Sequence, residues 1–212
     1  MTHTSHRQGT IESLRRDWIV LMMATRGIND KNCNPKIQKF FQLGLQHGPV
    51  NGGTALVGNA LSIGWEKLLD GVGKNSNVRS GLMLFDNPEK VAAFVKDLVR
   101  AELGVSVVVT GLHAGVDQIC HEAGIRRHTA QYSLGVWGKT SRLPPPKILE
   151  LTTMCGHGCI PFNLVRRMAK AVQAGTLTLE KAAAEVGKPC ICGAFNTTRG
   201  QTLLQEYIAC MG

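Results

Sequence analysis

Between residues 81 and 124 the apolar residues switch repeatedly between unbroken runs and helical spacing, and this constrains the fold more than any other feature. Gly81-Leu-Met-Leu-Phe85 is an apolar run of strand length. Asn87-Pro88 then supplies a capping side chain and a proline for the first helical turn. Val91, Phe94, Val95, Leu98 and Val99 recur on one helical face, and the pattern stops before Gly104. Val105-Ser-Val-Val-Val-Thr110 reads as a second strand, residues 114–123 as a second helix ended by Gly124, and residues 129–137 as a third strand. The order predicts an α/β (or α+β) fold, a β-α-β-α-β layer with helices packed on a sheet. Whether that sheet is parallel or ferredoxin-like depends on strand order, which periodicity does not give.

The preceding residues add to this layer. Residues 10–17 read as a short helix and Trp18-Ile-Val-Leu-Met-Met-Ala24 as a buried strand. Residues 35–46 place Ile37, Phe40, Phe41 and Leu45 at helical spacing behind Pro35. His47-Gly-Pro-Val-Asn51-Gly-Gly53 lacks the glycine spacing and the Lys-Ser/Thr ending of a phosphate loop, so it reads as a plain turn, with a ligand-facing loop as the alternative. Residues 55–69 carry a weak helical pattern, and residues 71–80 have loop composition.

Leu143-Pro-Pro-Pro146 favours a stiff extended connection and marks a boundary. It divides the chain into an α/β domain, 1–143, and a small helical cysteine-rich unit, 147–212. In the second, helices are expected at 161–174, 178–186 (capped by Thr178) and 197–210. A unit this small needs a metal or the larger body for stability.

That unit carries the chemistry. Cys155-Gly-His157-Gly-Cys159 and Cys190-Ile-Cys192 hold four of the seven cysteines. Cys159-x-x-Phe162-Asn163-x-x-Arg166 is echoed by Cys192-x-x-Phe195-Asn196-x-x-Arg199, and each copy leads toward a helix start, where thiolates are favoured. An odd cysteine count with uneven spacing argues for reduced thiols rather than a disulfide framework. Cys33, Cys120 and Cys210 stand alone and read as small buried hydrophobes.

Soft, clustered thiolates suit an iron–sulfur cluster, here a [4Fe-4S] centre on Cys155, Cys159, Cys190 and Cys192, with zinc as the alternative ligand. Neither Cys-x-x-Cys knuckles nor paired histidines mark a zinc site. Thiol–disulfide exchange is a further reading, although Cys155 and Cys159 are one residue further apart than its usual motif.

A net charge of +9 fits an anionic substrate or an acidic partner, while the scattered basic residues lack the stripe of a nucleic-acid binder. Together these features predict an iron–sulfur enzyme of lyase, hydratase or redox type acting on a small anion. His157 and His113 are its candidate catalytic groups, and Arg166, Arg199, Arg126 and Arg127 its candidate anion ligands. The rival reading is a non-catalytic subunit or maturation factor that holds zinc or a cluster for a protein partner. With no apolar stretch long enough for a signal peptide or a membrane span, a cytoplasmic location is expected.

Overall fold

The structure is a computed structural model that describes residues 6–211. Five strands, β1 (Trp18–Met23), β2 (Asn51–Thr54), β3 (Gly58–Asn59), β4 (Ser80–Phe85) and β5 (Ser106–Thr110), form one sheet in the order β3-β2-β4-β1-β5. Every pairing is antiparallel. Thus β1 lies between β4 and β5, and β4 lies between β1 and β2, so two β-α-β units interleave as in a ferredoxin-like sheet. The strand order answers the question left by periodicity.

Two helical layers cover the sheet. Ten α-helices are present among the described residues. α1 (Ile11–Leu14), α2 (Asn34–Leu45), α3 (Ala60–Ile63), α4 (Trp65–Lys74), α5 (Pro88–Ala101) and α6 (His113–Glu122) precede the proline triplet. α7 (Pro146–Thr152), α8 (Phe162–Gln173), α9 (Leu179–Gly187) and α10 (Thr197–Ala209) follow from it. Val20, Met22, Met83 and Phe85 pack with Ile37, Phe40 and Phe41 of α2 and Phe94 of α5. The opposite-facing Ile19, Leu21, Leu82 and Leu84 pack with Leu151, Val165, Ala182 and Leu204 of the C-terminal helices. Burial on both faces explains why β1 and β4 are nearly continuous apolar runs rather than alternating ones.

Local signals set several helix starts as expected. The Asn87 side chain accepts from the Glu89 and Lys90 N–H groups at the start of α5, and Thr178 caps α9. Three expectations are corrected. Residues 129–137 form no strand: the sheet ends at β5, and Tyr132, Leu134 and Trp137 are exposed in irregular chain. The expected turn at 47–53 contains most of β2, a buried strand whose small residues admit close neighbours on both sides. Residues 71–74, read as loop, complete α4, where Leu68 and Val72 are buried one turn apart despite Gly71 and Gly73. The proline triplet follows a 3-10 turn, Thr140–Arg142, and its last proline opens α7.

Candidate metal–thiolate site

The fold brings the two cysteine segments together. Cys155 follows α7, Cys159 lies just before α8, and Cys190 and Cys192 occupy the turn between α9 and α10. All are free thiols: Cys155, Cys190 and Cys192 are buried and Cys159 half-buried. Cys190 Sγ is 3.9 Å from Cys192 Sγ, and Cys155 and Cys159 lie near enough to this pair to influence its ionisation. The exposed His157 places Nδ1 3.6 Å from Cys192 Sγ.

Their mutual influence divides the four into two pairs. The neighbouring protonated Cys190 lowers Cys155 to about 5, helped by the backbone N–H groups of Cys159 and His157 and opposed by burial. Cys192 is lowered to about 6, first by Cys190 and further by the Ala194 N–H and His157, again against burial. Burial, then the negative charge of Cys155, pushes Cys159 up to about 11. Cys190 is raised by its bonds to Cys155 and Cys192 and by burial. These lowered values trace mainly to sulfur and loop N–H donors rather than to helix ends.

The surrounding residues explain how the loops are held. Gly193 has φ +78°, and a Cβ there would stand 2.4 Å from the Gly52 carbonyl carbon, so only glycine lets this turn rest on β2. Asn59 donates to the carbonyls of Lys188 (3.1 Å) and Cys190 (3.0 Å), and Asn51 donates to that of Phe195 (3.0 Å). Arg7 donates to the carbonyls of Met154 and Ala194, joining the two cysteine segments. Sequence reasoning overlooked Asn51, Asn59 and Arg7. Asn51-Gly-Gly53 did offer a signal, since a glycine pair inside a strand marks close backbone approach.

The remaining candidates are dispersed. Arg199 is buried, with Nη1 2.8 Å from Asp17 and Nε 2.9 Å from Ser13 Oγ. Burial lowers its pKa, with Asp17 opposing. Arg166 is exposed and donates to Asn163 Oδ1 at 3.2 Å. The echoed segments therefore differ: Asn196 caps α10, whereas Pro161 stands at the cap of α8 and Asn163 lies inside that helix. His113, Arg126 and Arg127 line a cleft beside β5 whose walls include none of the four clustered cysteines.

Among the described residues, no group of three or more His, Cys, Asp or Glu side chains is already arranged around a metal-ion position. Nor is any helix among them long and apolar enough to cross a membrane. No family model matches the chain, and neither the curated proteins nor the solved structures yield a match. Fold and site together thus define a ferredoxin-like α/β protein with a four-thiol cluster between its sheet and its C-terminal helices.

Proposed function

We propose that this is a metal–thiolate protein in which Cys155, Cys159, Cys190 and Cys192 bind one soft divalent ion, zinc by size, that clamps the C-terminal helices to the sheet. The observation that carries this reading is the sulfur spacing. Four sulfurs held tetrahedrally about 2.3 Å from one ion stand roughly 3.8 Å apart, and Cys190 and Cys192 are 3.9 Å apart. A cubane places four irons between its ligands and would require the sulfurs to spread. Binding would require the Cys155 and Cys159 side chains to rotate toward this pair to complete a four-sulfur sphere. Four thiolates leave no open coordination position, which supports a structural rather than catalytic role. His157 then serves as an N–H donor that steadies the Cys192 sulfur.

The second reading is an iron–sulfur enzyme acting on a small anion. It is favoured by the surface position of one side of the site, where Cys159 is half-buried and His157 exposed. Metal and acid-labile sulfide analysis of protein purified without oxygen separates the two. Zinc at one ion per chain in colourless protein supports the clamp. Brown protein with iron and sulfide replaces it with the cluster, and metal-free protein with intact fold overturns both.

A further inference from the structure

A second feature lies along the free edge of β5, the end strand of the sheet. A cleft of about 1120 Å³ follows this strand, comparable to the largest ligand pockets. Its floor is aliphatic: Val105, Val107 and Val109 of the β5 segment, Leu98 of α5 and Val116 of α6. Residues 125–133 form one wall.

The exposed cationic groups are gathered at one end. His113 opens α6, whose N-terminus has no side-chain cap and no acidic residue in its first turn. Its ring stacks on Tyr132 at 4.3 Å. Arg127 reaches His113 Nδ1 at 2.8 Å and Asp117 at 3.0 Å, while Arg126 makes no ion pair among the described residues. His128 also lines this wall. Glu102 lies at the other end, before β5 begins. Asp17, where it lines the cleft, is already paired with Arg7 and Arg199. Arg7 itself is nine-tenths buried, lines the same cleft, and has an Nε with no hydrogen-bond partner among the described residues.

We propose that this cleft binds an amphiphilic anion, a small molecule with an aliphatic body and a carboxylate or phosphate head. The body lies on the valines of β5, removing them from water. The head lies at the arginine end, where Arg126, Arg127 and the free N–H groups of α6 supply donors and positive charge. The separation of apolar floor and cationic end sets the orientation. A cationic or uncharged amphiphile of equal length lacks this second interaction.

Calorimetric titration of the whole protein tests the site, with dodecanoate and dodecyl phosphate as anionic probes. Methyl dodecanoate and dodecyltrimethylammonium are the uncharged and cationic controls, all kept below their micellar concentrations. Saturable binding of at least one anion is expected, at least tenfold tighter than either control. Arg126→Gln with Arg127→Gln should weaken the anion about tenfold and leave the uncharged ester unchanged. Both arginines lie outside the core, so the fold should persist, as circular dichroism checks. Val105→Asp, at a half-buried floor position just before β5, should weaken every probe. Relative affinity of the two anions identifies the head group. No saturable binding, equal binding of the cationic control, or unchanged affinity in the arginine variant would overturn the proposal.

Discussion

At the residue scale, the cysteine site depends on contacts that a motif does not display. The cysteines stand out by clustering, but Gly193 matters because its backbone meets that of Gly52. Gly193→Ala adds a methyl group against main chain and keeps a left-handed φ, so it should cost about 2 kcal/mol or more. For a chain of this length that lowers the melting temperature by roughly 4–8 °C. Thermal melts check this; a shift under a degree or so would mean that the loop is not seated on β2. The same distance explains what the sequence hid. Arg166 and Arg199 occupy equivalent places in an echoed pattern, yet one is exposed and the other buried against Asp17, because the echo does not fix which residue begins the helix.

Protonation gives a second test at this scale. With Cys155 and Cys192 lowered to about 5 and 6, they are thiolates at pH 7, while Cys159, raised to about 11, and Cys190, also raised, keep their protons. A four-thiolate metal site requires all four to be ionised, so metal uptake at pH 7 should release about two protons. Affinity should therefore rise with pH, by about 100-fold per unit around neutrality. Calorimetry in buffers of different ionisation enthalpy counts these protons. A count near zero would mean that the raised pair does not ligate.

At the element scale, apolar periodicity located β1, β4, α2 and α5 because each buries a continuous face or stripe, and β5 because Val105, Val107 and Val109 half-bury against the helices. It failed where burial comes from small polar residues. β2 is Asn-Gly-Gly-Thr, with no apolar pattern, and its place in the sheet is set by pairing with β4 and by the cysteine loop resting on it. It failed conversely at 129–137, where alternating apolar residues meet no covered face. The segment before β1 is tied to the C-terminal helices by a similarly illegible device, the buried Asp17 between Arg7 and Arg199. Asp17→Asn leaves two buried guanidinium groups without their counter-charge and should cost about 3–5 kcal/mol. Denaturant melts measure it; a loss below about 1 kcal/mol would show that the two arginines find other partners.

At the scale of the whole molecule, a ferredoxin-like sheet carries one helical layer of its own and a second from the C-terminal third of the chain. The second layer meets the sheet through the core around Leu21 and Leu84 and through the cysteine loops on β2. A metal at the four cysteines would tie these loops into a single cross-link beside that core, and its removal should loosen this junction before the body of the sheet. The most direct test is X-ray absorption at the edge of the metal bound to the purified protein. A structural zinc clamp gives one zinc with about four sulfur ligands at roughly 2.3 Å and no metal–metal scattering. Iron with a metal–metal shell, or a zinc sphere of mainly nitrogen and oxygen, would contradict it.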